Sequence, residues 1–146
     1  MAGLSQPELL VLCLRLAKYK KENKELLGYL LFQSEDETAY KEAIKKQITE
    51  LFQGINKSNL YFAKKGIRKI LRIVQKQIKF SGSKQTEAEL LIYYLREFKE
   101  SGLPITKSKV LSNLYDRLLK KIELAVSTLH EDLQYDLAEE IAAIKN

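Results

Sequence analysis

Tryptophan is absent from this chain of 146 residues, and cysteine, histidine and methionine occur once each. With Cys13 alone, no internal disulfide can form. Cys13 and His130 together fall short of the four Cys or His ligands of a structural zinc site. Helical di-iron sites place a Glu three residues before a His, and here that position is Ser127. There are only two Pro and six Gly, too few backbone breakers for many short strands. No GxxxxGK(S/T) loop is present, and no GxGxxG follows a strand, so a Gly-rich phosphate cradle is excluded. No apolar run approaches the ~20 residues of a membrane helix. No basic segment precedes the first apolar run, so no secretory leader is expected and the expected location is cytoplasmic.

Acidic residues are also missing where they would matter most. Residues 51–86 carry nine Lys or Arg and no Asp or Glu. The first fifty residues are balanced and the last sixty carry a small acidic excess, so this one segment accounts for the whole net charge of +6. A basic balance of this kind favours anionic partners such as nucleic acid or acidic membrane surfaces.

What is plentiful is helix-forming sequence. Hydrophobic residues make up 45% and charged residues 30%, the composition of a folded globular chain. The length suits a single domain over 1–146. Ser5 with Glu8 forms a capping box ahead of "ELLVLCLRL", with Leu4 and Leu9 placed to staple it, and the segment 5–32 reads as one helix or two split near Asn23. Cys13 lies in that apolar run and is expected to be a buried, inert thiol. Ser34 with Glu37 caps a helix whose apolar stripe is Ala43, Ile44, Ile48, Leu51 and Phe52, and Gly54 reads as its left-handed terminus. A basic helix runs from about residue 59 to 80, with Leu60, Ala63, Ile67, Ile70, Leu71, Val74 and Ile78 on one side. Gly66, mid-helix, suggests a close approach by another helix. Thr86 with Glu89 offers a third capping box, for a helix that stops at Gly102. From Ser108 to the end the apolar positions keep one phase, which predicts one long helix or two nearly collinear ones.

The expected fold is therefore all-α, an irregular bundle of five or six helices. "ELLGYL" at 25–30 resembles "ELLIYY" at 89–94, and a short right-handed superhelix of helical hairpins is the alternative architecture.

On the basic helix, Lys65, Arg68, Lys69, Arg72, Lys76 and Lys79 share the side opposite the apolar stripe. Lys65 to Lys79 covers roughly 21 Å at the helical rise. Such a stripe can follow a phosphate backbone, with Tyr61, Tyr93 or Tyr94 available to stack on unpaired bases. It can also meet an acidic stripe, and Glu131, Asp132, Asp136, Glu139 and Glu140 supply one in the last segment, within the chain or on a second copy. Lipid contact is a weaker candidate, because the apolar side is needed for the core. His130 reads as a polar-face residue, and no carboxylate pair stands out as acid and base. The expectation is a non-catalytic adaptor or regulatory protein, acting on a protein partner or its own copy, with no cofactor and no small-molecule substrate. Electrostatic, largely sequence-independent binding of RNA or DNA through helix 59–80 is the alternative.

Overall fold

The computed structural model describes residues 3–33 and 35–145, and all regular structure among them is helical. Seven α-helices occur among the described residues: α1 (Gln6–Tyr19), α2 (Lys21–Gly28), α3 (Glu37–Gln53), α4 (Leu60–Ser81), α5 (Lys84–Glu100), α6 (Lys109–Ser127) and α7 (Glu131–Lys145). A π-helical stretch, Tyr29–Gln33, follows α2 directly. The count exceeds the five or six expected because both segments that could have been single helices are broken. The chain forms two compact units, Met1–Glu37 and Thr38–Asn146.

In the first unit the Ser5–Glu8 capping box forms as expected, the Ser5 hydroxyl accepting from the Glu8 amide at 3.3 Å. The break falls at Lys20, whose backbone is extended (φ −137°, ψ 147°). Asn23 bridges it, its side-chain amide donating to the Leu16 carbonyl at 2.8 Å. One of the carbonyls orphaned at the end of α1 thus finds a side-chain donor. Tyr29 is buried and its hydroxyl donates to the Glu37 carboxylate at 2.8 Å. Ser34, the residue expected to cap α3, lies outside the described residues.

In the second unit α5 is the axis. Residues from Thr86 to Phe98 bury nearly all of its circumference, and α3, α4, α6 and α7 surround it in that order. A solenoid repeat touches only its sequence neighbours. Here one helix touches four others, so the architecture is a bundle and not a stack of hairpins. Phe98 ties the elements together, its ring 6.5 Å from Phe52 of α3, 6.2 Å from Tyr94 and 5.8 Å from Tyr115 of α6. The buried face of α3 is Tyr40, Ile44, Ile48 and Phe52, at steps of four, while Ala43 is exposed and Leu51 half-buried.

The last segment is not collinear. A straight continuation would place Ile144 roughly 44 Å from Tyr115, yet the Tyr115 hydroxyl donates to the Ile144 carbonyl at 2.5 Å. Thus α7 folds back along α6 and α5. No Gly or Pro makes the turn. Ser127 and Thr128 hydroxyls donate to the Leu124 and Ala125 carbonyls at 2.6 and 2.7 Å, and Gln134 donates to the Leu129 carbonyl at 2.8 Å. His130 Nδ1 accepts from the Asp132 amide at 3.2 Å and so caps the start of α7. These side chains substitute for continued helical hydrogen bonds.

Other termini correct the sequence reading. Ser83, not Thr86, caps α5, accepting from the Thr86 amide at 3.2 Å. Thr86 is buried at the first turn. Gly54 has no left-handed backbone; among the described residues only Gly3, Gly82 and Gly102 do. At Gly102 the expected stop is present.

Burial raises the pKa of both Tyr94 and Tyr115 above the ordinary 10.0, Tyr115 with a smaller contribution from nearby Asp116. The unfolded chain ionises first, so the stability these phenols share in is complete below pH ~10 and is lost as pH rises through their folded values. The urea midpoint is therefore expected to hold to pH ~10 and then fall. Tyr94→Phe should flatten that fall relative to the parent, and an unchanged alkaline slope in the variant would rule out the assignment.

Candidate nucleic-acid interface

The most basic helix, α4, is bounded at both ends by its own sequence. The Asn59 side chain accepts from the Phe62 amide at 2.9 Å, and Gly82, with φ +68°, ends the helix in a left-handed turn. Between them, 22 residues form one uninterrupted helix, within a residue of the expected limits at each end. Ala63, Ile67, Ile70, Leu71 and Val74 are buried. Ile78 is half-buried, and Leu60, placed on the core side from sequence, is exposed. Tyr94 fastens the core side to α5, its hydroxyl donating to the Ile67 carbonyl at 2.8 Å. The close neighbour of Gly66 is a loop side chain and not a helix: a Cβ there would stand 3.2 Å from Ile55 Cγ1.

Burying that side leaves the cations outward. Lys65, Arg68, Lys69, Arg72 and Lys79 are exposed, and Lys76 is half-buried with its ammonium 6.0 Å from the Phe80 ring centre. Because α4 and α6 flank α5 and do not close on each other, a groove of about 1070 Å³ runs between them. Lys65, Arg68, Lys69, Arg72 and Gln75 line it from α4, and Val110, Asn113 and Arg117 line it from α6, with Leu71 and Leu114 also on its wall. No carboxylate lines it. Among the described residues, none of Lys65, Arg68, Lys69, Arg72, Lys79 and Arg117 takes part in an ion pair.

Five positive groups thus face one concave space. A low-dielectric wall on each side strengthens the field between them, and an anion entering the space meets all five. Arg117 is the member that sequence reading missed. It sits in a segment with an acidic excess, and Val110, Asn113, Leu114 and Arg117 share a helical face whose neighbour only the tertiary fold supplies.

The acidic stripe lies elsewhere. Glu131, Asp132, Asp136, Glu139 and Glu140 are all exposed on α7, which stands across α5 from α4. Glu140 borders a smaller hollow of about 170 Å³ with Lys45 and Arg96, between α3, α5 and α7. Among the described residues, Lys65, Arg68, Lys69, Arg72 and Lys79 do not form the internal pairing weighed from sequence.

The three tyrosines separate clearly. Tyr94 is buried in the core. Tyr93 is half-buried, in contact with the Thr49 hydroxyl and 5.1 Å from the Arg96 guanidinium. Tyr61 is exposed, with the Lys65 ammonium 4.9 Å from its ring centre.

Outside the groove, α1 departs from expectation. Leu10, Val11 and Leu16 are 60%, 56% and 65% exposed, and Cys13 is exposed where a buried thiol was expected. Among the described residues no group of three or more His, Cys, Asp or Glu could hold a metal ion, and no helix is long and apolar enough to cross a membrane. No protein-family model, curated protein or solved structure matches the chain.

Proposed function

We propose that the chain is a non-catalytic binding protein whose α4–α6 groove takes the phosphate backbone of RNA or DNA with little dependence on sequence. One observation carries this reading: five cations from two helices line a single groove that contains no carboxylate. A cation already held in an ion pair gains little from a phosphate, whereas these bring their full charge to it. Neutralising phosphates releases counterions, which drives association in a salt-dependent way. No side chain stands in a recognition-helix arrangement, so contacts to the backbone dominate over contacts to base edges.

A second reading, protein contact by an adaptor, draws on α1. A helix apolar on every side is normally covered, and here leucines around it are exposed. A protein partner or a second copy of the chain is the cover this reading supplies.

An amide-resolved NMR titration with an oligonucleotide of about 8 nucleotides, within the range of single-strand sites, separates the two. The first reading expects shifts at residues 65–75 and 110–117, reversed by salt. The second expects concentration-dependent shifts at residues 9–16 and none with oligonucleotide. A dimer that dissociates with salt and binds no oligonucleotide would instead hand the cations to the α7 acids of another copy.

A further inference from the structure

The first turn of α4 holds three exposed apolar side chains. Leu60, Tyr61 and Phe62 are 39%, 62% and 45% exposed. Two of them are aromatic, with ring centres 5.5 Å apart in an edge-to-face arrangement. Their position is what gives them meaning. Tyr61, Lys65, Arg68 and Arg72 succeed one another at steps of four, three and four, so the Tyr61 ring continues the line of groove cations. The Lys65 ammonium rests over that ring.

Resting on the groove reading, we infer that its ligand is single-stranded nucleic acid, with an unpaired base stacked on Tyr61. A strand whose phosphates follow Arg72, Arg68 and Lys65 reaches Tyr61 next. A phosphate draws the Lys65 ammonium off the ring and bares a π-face for the base. In a duplex the base faces are already stacked on one another and none is offered. Phe62, edge-on to Tyr61, limits the tilt of the Tyr61 ring and so keeps it ready. Stacking of this kind is sequence-tolerant, because every base has a π-face. It therefore agrees with the sequence-tolerant, backbone-dominated contact proposed for the groove. Tyr93 is unsuited to the role, being half-buried and engaged with Thr49 and Arg96.

The chain contains no Trp, so Tyr61→Trp creates a single emitting indole at the proposed stacking point. Titration of this variant with oligo(dT) is expected to quench its emission, while a duplex of equal length is not. In binding assays Tyr61→Ala and Tyr61→Leu should each weaken single-strand affinity by about 5- to 100-fold. Duplex affinity and the salt slope should not change, because no phosphate contact is lost. Tyr61→Leu keeps an apolar side chain, so its loss isolates the aromatic face. Equal losses for single strand and duplex, or no loss for either, overturn the stacking role while leaving the groove reading in place. A parent chain that binds neither form removes both. Binding to anionic lipid vesicles without oligonucleotide binding also removes both.

Discussion

Changing Arg68, Arg72 and Arg117 together to Glu is expected to weaken single-strand binding by a hundredfold or more near 0.1 M salt. For single strands each neutralised phosphate contributes a slope of about −0.7 in log K against log salt. Between 1 M and 0.1 M salt one contact is thus worth a factor of about five, and three are worth about a hundred. Reversal goes further than removal, because the new carboxylates repel the backbone. The residual slope should be shallower by about two. The three residues come from two helices and line the same groove, so their joint loss tests the groove and not α4 alone. All three are exposed and, among the described residues, take part in no ion pair, so the triple variant should fold with its helical circular dichroism intact. Binding within threefold of the parent, in a folded variant, would show that the groove is not where the anion sits.

Phe98→Ala should produce the largest stability loss of any single truncation in the second unit. Its side chain is fully buried and meets aromatic rings from α3, α5 and α6 at once. Truncating a buried Phe typically costs about 3–5 kcal/mol, from lost transfer energy and the cavity left behind. Domains of this size are stable by only about 5–15 kcal/mol. The variant should therefore lose about a fifth or more of its stability, seen as a urea midpoint lower by roughly 2 M at an m-value near 2 kcal/mol/M. The groove should suffer with it, because α4 and α6 are both held in place by α5. Neighbouring Tyr94→Phe, which removes only the hydrogen bond to the Ile67 carbonyl, should cost about 1 kcal/mol. A Phe98→Ala midpoint no lower than that of Tyr94→Phe would mean that the aromatic cluster is not the centre of the core.

The helix α4 could be read from residues because its periodicity and charge pattern agreed, although Leu60 is exposed and the close neighbour of Gly66 is the loop residue Ile55. Its apolar positions kept helical phase and its cations fell on the remaining side, and the structure adds the Asn59 and Gly82 caps that end it. The hairpin of α6 and α7 could not. Its turn is made by Ser127, Thr128, His130 and Gln134 side chains that bond to nearby backbone groups, and such residues also occur in uninterrupted helices. That fold-back has a functional consequence. It packs α7 against α5 and α6, so that within the chain its acids stand apart from the groove cations.

Cys13 and Arg117 illustrate a different limit. An apolar run shows that a helix favours cover, but not whether the rest of the chain supplies it, and α1 remains exposed at Leu10 and Leu16. Arg117 gains its place only from the tertiary fold, which brings it into one groove with the cations of α4. Charge along one helix is visible in sequence, whereas charge concentrated between two helices is a property of packing.

The salt dependence of single-strand affinity tests the central claim most directly. With five groove cations neutralised by phosphate, log K against log salt should be a straight line of slope near −3.5 for the parent chain. A slope near zero, or no binding in dilute buffer at micromolar protein, would mean that these cations have no polyanion to meet.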